Sequence, residues 1–190
     1  MMYEMANCGD NDINIYYKKT LKKINSQFLT ERYINLICNE LQKKDYERVE
    51  ILLKSFIYSD LVKSSELIRQ ENQDYITLTL NDGSKINFSH IPLPYEFTHA
   101  YNGHCHEVTS YFVKVQPKKR RAIMTSLKNH LYGNYYHSFM VNDDIVYDLS
   151  HNIMMSYRDY IKIFNPKVLV DERGDTLIKN IKKCIVNKSI

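Results

Sequence analysis

The chain has 190 residues, 44% of them hydrophobic and 25% charged, with few glycines and prolines. That composition excludes a disordered or fibrous chain, and a net charge of +4 is too mild to imply nucleic acid. Four widely spaced cysteines with no C-x-x-C pair argue against a disulfide framework and for a reducing compartment.

Residues Met1 to Asn11 carry Glu4 and Asp10 and no long apolar run, so they do not read as a secretory signal. No stretch approaches the ~18 uninterrupted apolar residues of a membrane span. The expectation is a cytoplasmic protein with no membrane contact. A polar helix is predicted over about Ile13 to Ile24. Thr30 is placed to cap a second helix whose Ile34, Ile37, Cys38 and Leu41 share one face at i, i+3, i+4, i+7 spacing. Cys38 therefore reads as core. Asp45 caps a third helix with Val49, Leu52, Leu53 and Phe56 on its stripe, and Ser59-Asp60 interrupts it before a further helical stretch from Leu61 to Gln70.

The pattern then changes to period two. Tyr75 to Leu80 and Lys85 to Phe88 flank Asn81-Asp82-Gly83 and predict a β-hairpin. Ile91-Pro92-Leu93-Pro94 has to be extended. A helix starts near Gly103 or His104, with Cys105, Val108, Phe112 and Val115 on one side, and Pro117 closes it. The basic run Lys118-Lys119-Arg120-Arg121 reads as a solvated turn. Strands are predicted for Arg121 to Leu127, Tyr135 to Val141 and Ile145 to Leu149. A helix from Ser156 to Phe164 is stopped by Asn165-Pro166, and Asp175 to Val186 has weak helical periodicity. The expected fold class is α+β: a helical region over residues 1–72 and an α+β part over 73–190, with one compact domain as the alternative.

Three residues stand out as a set. Cys105 falls in the first turn of its helix, where free backbone N–H groups and the positive end of the helix dipole favour a thiolate and can stabilise an oxyanion. His137 lies on an alternating strand with Tyr135, Phe139 and Val141 on its face. A loop of Asn142-Asp143 would pair Val141 with Asp144 and set His137 directly opposite Asp148, on the same face of adjacent antiparallel strands. Any other even-length loop keeps that face. Asp148 sits between Tyr147 and Leu149, where an unpaired carboxylate costs stability. A thiol, an imidazole and a carboxylate are what nucleophilic cysteine chemistry uses.

A Cys at a helix start, then a His on one strand and an Asp on the next, resembles the transglutaminase-like branch of the papain-like cysteine superfamily. His137 is followed two residues on by an aromatic, Phe139, where Trp is more usual, and Asp148 by Ser150, as in that superfamily. The similarity covers about Tyr95 to Asn165. It implies an antiparallel sheet packed on the nucleophile helix, with Cys105 as nucleophile, His137 as base and acid, and Asp148 as orienting carboxylate. It also implies acyl transfer, deamidation or amide hydrolysis on a protein or peptide substrate, with no cofactor. A second oxyanion or substrate contact falls to Asn102, Gly103 or His104, with His99 also near in sequence and Asn102 preferred; Asn102 is equally an N-cap. The alternative is a non-enzymatic interaction module on the same fold.

A zinc site is not favoured. His104, Cys105 and His106 are consecutive and point in different directions from a helix, so a site would need His137 or His151 from elsewhere. Cys105-His106-Glu107 has the C-x-E form of zinc deaminases without its P-C-x-x-C partner.

Overall fold

The computed structural model describes residues 31–54, 56, 61–100, 103–116, 119–129 and 133–173. The helix predicted over Ile13 to Ile24, the tail from Asp175, and Asn102, Pro117 and Lys118 lie outside the described residues. What is described is a mixed α+β structure. Two helices come first, α1 (Glu31–Gln42) and α2 (Tyr46–Lys54), then the strands β1 (Val62–Ile68), β2 (Tyr75–Leu80) and β3 (Lys85–Ser89). Two more helices follow, α3 (Tyr95–Ala100) and α4 (Cys105–Val115). The remainder is β4 (Arg120–Asn129), β5 (Gly133–Asn142), β6 (Ile145–Asp148), β7 (Ile153–Ser156), α5 (Tyr157–Phe164) and β8 (Lys167–Arg173). No described helix is long and apolar enough to cross a membrane.

The strands form one eight-stranded sheet in the order β1-β2-β3-β7-β6-β5-β4-β8, with every neighbouring pair antiparallel. Period-two alternation sorts its side chains to two faces. One face carries Ile76, Leu78, Ile86, Phe88, Ile123, Phe139, Val141, Val146 and Met155. These share a single buried cluster with Ile34, Ile37, Cys38 and Leu41 of α1, Val49, Leu52 and Leu53 of α2, and Tyr160, Ile163 and Phe164 of α5. The opposite face is covered by α4, whose Val113 packs on Ala122 and Met140, and whose Val108 packs with Ile91 and Leu149.

Local signals explain most boundaries. Asp45 accepts a hydrogen bond from the Arg48 N–H at 3.1 Å and caps α2. Gly83 (φ +80°) turns the β2–β3 hairpin. Ser156 Oγ accepts from the Asp159 N–H at 3.1 Å to start α5, and Asn165 in the left-handed region ends it before Pro166.

Several expectations change. Residues 62–68 are a strand, not the helix expected over Leu61 to Gln70. The apolar residues of this stretch fit a helix as readily as a strand, and pairing with β2 decides. The helices and strands α3, β7 and β8 were not anticipated. Val115 is exposed, because the buried stripe of α4 runs through Val108, Thr109 and Val113. A border near Asn72 would fall between β1 and β2, which pair along their length, and the buried cluster runs through both sides of it.

Candidate active site

The site begins with a turn. Asp143 (φ 47°) and Asp144 (φ 69°) are both left-handed, the signature of a type I′ two-residue hairpin loop. Asn142 pairs with Ile145, Val141 with Val146 and Met140 with Tyr147. The loop is thus Asp143-Asp144, one residue later than expected, and His137 and Asp148 are diagonal neighbours rather than directly opposite. The shift moves the register by two, so both stay on one face. Diagonal neighbours lie about 7–8 Å apart at Cα, within reach of an imidazole and a carboxylate. His137 Nε2 is 2.7 Å from Asp148 Oδ2, and both side chains are buried, at 2% and 0% exposure.

Asp148 is saturated. Its Oδ2 also accepts from Tyr160 Oη at 3.0 Å and meets His151 Nδ1 at 3.1 Å. Its Oδ1 accepts from Ser150 Oγ and the His151 N–H, each at 3.2 Å. Burial pushes this carboxyl up. The His137 and His151 imidazoles outweigh burial and hold it well below the usual carboxylate range. The His151 ring lies against the His137 ring, centroids 4.6 Å apart.

The third element arrives from the other face of the sheet. The β5–β6 ladder covers only Met140 to Asn142, so the β5 edge before Met140 has no ladder partner in β6. The start of α4 docks there. Thr109 Oγ1 donates to the Ser138 carbonyl at 3.1 Å, and His106 Nδ1 meets Ser138 Oγ at 2.7 Å. Cys105 opens this helix, near enough for the His137 and His106 imidazoles to act on its thiol. Half-burial pushes the thiol up, and these two imidazoles outweigh it, bringing it down to about 6.

Cys105 is the first residue of α4, and the first intrahelical bond runs from the Val108 N–H to the His104 carbonyl at 3.0 Å. The N–H groups of residues 105–107 therefore have no intrahelical acceptor. His104 is the N-cap but makes no side-chain cap. Gly103 (φ +85°) leads the chain into it, and both are exposed. The structure thus joins His137 to Asp148, sets Cys105 where that imidazole lowers the pKa of its thiol, and leaves Gly103 and His104 exposed.

The sequence reading missed His106, His151 and Tyr160 as parts of this cluster. His106 was weighed only as a metal ligand. His151 follows Asp148 by three residues, a turn spacing that would have pointed to it. Tyr160 sits on the buried stripe of α5, where its hydroxyl needs a polar partner.

His137, Asp148 and His151 also have donor atoms within 4.8 Å of one another, as metal ligands do. Zinc at about 2.0–2.1 Å from tetrahedral ligands sets neighbouring donors about 3.3 Å apart. The 2.7 Å separation of His137 Nε2 from Asp148 Oδ2 is a hydrogen-bond distance, and Tyr160 already occupies the same oxygen. These residues fit a hydrogen-bonded network better than an ion. Comparison with protein-family models, curated proteins and solved structures finds no match to this chain.

Proposed function

We propose that the chain is a cysteine-dependent enzyme that transfers or hydrolyses acyl groups of protein or peptide substrates, built on a papain-like core of the transglutaminase-like kind. One observation carries the reading: the buried hydrogen bond of Asp148 to His137, an imidazole that lowers the pKa of the thiol at the start of α4. A buried carboxylate fixes one ring nitrogen and orients the other toward a sulfur that ionises near neutral pH.

In the first step the Cys105 thiolate attacks a carbonyl carbon, and the oxyanion faces the unpartnered N–H groups at the α4 N-terminus. The His137 imidazolium gives its proton to the departing amine as the C–N bond breaks, leaving a thioester and a neutral imidazole. Water or an amine then attacks the thioester, His137 takes its proton, and the Cys105 thiolate leaves. No cofactor enters this cycle.

The direct test uses an activated acyl ester of a short peptide. After an acid quench, intact-mass measurement is expected to show one acyl group on Cys105, and none on the Cys105→Ala protein. The His137→Ala protein is expected to acylate and turn over far more slowly. Turnover by Cys105→Ala at the native rate would end this mechanism. Absence of any acyl adduct would favour a non-catalytic interaction module.

A further inference from the structure

We propose that His151 is a positioning residue for His137: its ring, packed on the His137 ring and tied to the same oxygen of Asp148, holds that imidazole at the angle its proton transfers need. The inference rests on His137 being the base and acid of the proposed reaction. Four contacts carry it. The two ring centroids are 4.6 Å apart, nearer than the rings of Tyr135 at 6.4 Å and Phe139 at 6.3 Å. His151 Nδ1 lies 3.1 Å from Asp148 Oδ2, the oxygen that His137 Nε2 meets at 2.7 Å. The His151 N–H donates to Asp148 Oδ1 at 3.2 Å, and the His151 carbonyl accepts from Asn35 on α1. The His151 ring is therefore fixed through its nitrogen and through its backbone, and it stands as a wall beside His137.

One hydrogen bond does not fix a ring. An imidazole held only at Nε2 can still tilt, because the torsion that joins a flat ring to its side chain is broad. Tyr135 and Phe139 lie two residues to either side of His137 on β5, so they bracket its ring along the strand. His151 closes the ring's face at the spacing of an ordinary aromatic pair. It comes from the β6–β7 loop, so the tilt is resisted by a different element from the one that carries His137. The exposures agree with that arrangement: the His137 side chain is 2% exposed and that of His151 is 18% exposed. The solvent-facing ring of the pair is His151, and the His137–Asp148 hydrogen bond stays in a low-dielectric setting, where it is stronger. A tilted ring displaces its reacting nitrogen, and a misplacement of about 1 Å can cost about 10²-fold in rate.

The test follows deacylation, the step in which His137 acts as the base toward water. The full-length protein is acylated at Cys105 with the activated peptide ester and freed of excess ester, and the decay of the acyl mass is timed. His151→Asn keeps a donor near the position of Nδ1 and removes the ring. It is expected to slow the decay roughly 10- to 10²-fold. His151→Phe keeps a flat ring without the donor and is expected to restore most of the rate. A second readout needs no substrate. A carboxylate only accepts, so the His137 nitrogen facing Asp148 carries hydrogen. Its low-field proton resonance, identified by its loss in His137→Gln, is expected to move or broaden in His151→Asn and to return toward its native position in His151→Phe. A native decay rate with a native resonance in His151→Asn overturns the proposal, and so does a His151→Phe protein no faster than His151→Asn. If the Asn protein fails to fold, a slowing of about ten-fold in His151→Phe overturns it instead. If the native protein never carries an acyl group, the resonance decides alone: movement in Asn and return in Phe keep the ring contact while the enzyme reading falls.

Discussion

Five donors end on the two oxygens of Asp148, and no water is needed to satisfy it. Such a group has two separable effects. Under the proposed mechanism it holds the His137 ring for the sulfur, and Asp148→Asn is expected to lower kcat/KM by roughly 10³–10⁴ with little change in fold. In stability its folded-state pKa is depressed, so its contribution is present above the unfolded value of about 3.9 and is lost as pH falls below it. Urea unfolding across pH 2 to 7 is expected to show the native protein losing stability below about pH 4. The Asp148→Asn protein is expected to start lower at neutral pH, since it leaves buried donors poorly matched, and to lose less on acidification. Equal acid slopes for the two proteins would mean that this carboxylate is not a linkage site. Cys38 shows the contrast that burial alone produces. It lies fully buried on α1, donates to the Ser89 carbonyl at 3.4 Å, and burial and then the nearby Asp148 charge push its thiol well above the ordinary range. Of the two described thiols, burial raises the pKa of Cys38 and neighbouring imidazoles lower that of Cys105.

At the scale of elements, the β5–β6 turn decides whether these residues meet. Asp143 and Asp144 adopt the left-handed conformation that L-residues disfavour, and aspartate tolerates it better than most. Asp144→Gly is expected to hold or raise stability, whereas Asp144→Val, β-branched at φ 69°, is expected to lose about 1–2 kcal/mol. The check is a urea midpoint that falls for Val at unchanged slope. Equal midpoints for Gly and Val would remove the strain argument. This turn also marks how far the sequence could be read. Its position was off by one, yet the parity of the register was right, because alternation of Val141, Phe139 and His137 against Val146 and Asp148 permits only one buried face. The helices α1, α2, α4 and α5 were legible from their stripes and caps. The strand β1 was not, because Val62 to Ile68 is an edge strand whose burial follows no period and whose partner supplies the order. Nor was β7, only four residues long and specified by its neighbours β3 and β6 on either side. Within the site, Cys105 at the start of α4, His137 in the middle of β5 and Asp148 at the end of β6 could be named in advance from their elements. His106, His151 and Tyr160 owe their places to the meeting of α4, α5 and the β6–β7 loop, and of the three only the spacing of His151 from Asp148 left a local signal.

On the scale of the whole molecule, the first helices are part of the machinery that positions the carboxylate. Asn152, buried at φ 56° in the loop after β6, donates to Asn39 Oδ1 and Gln42 Oε1 on α1, both at 2.9 Å, and accepts from the Ile91 N–H at 3.0 Å. Asn35 of α1 donates to the His151 carbonyl, and Gln42 donates to that of Leu93. The loop that carries Ser150 and His151 is thereby bolted to α1. The apolar side of the same helix, with Ile34, Ile37 and Leu41, lies in one core with Leu52, Leu53 and Phe56 and the sheet. Burying one such side chain is worth about 1.5–3 kcal/mol, while the entire net stability of a domain is about 5–15 kcal/mol. A chain cut to residues 73–190 loses all of them, loses β1, and exposes the apolar face of β2 and β3. It is expected to lack near-ultraviolet tyrosine dichroism and a cooperative urea transition. The full chain is expected to unfold in one step, with far- and near-ultraviolet signals superimposed. Cooperative unfolding of 73–190 with its tyrosine signal intact would show instead that the helical part is a separate unit. Asp148 would then have to be held in place without α1.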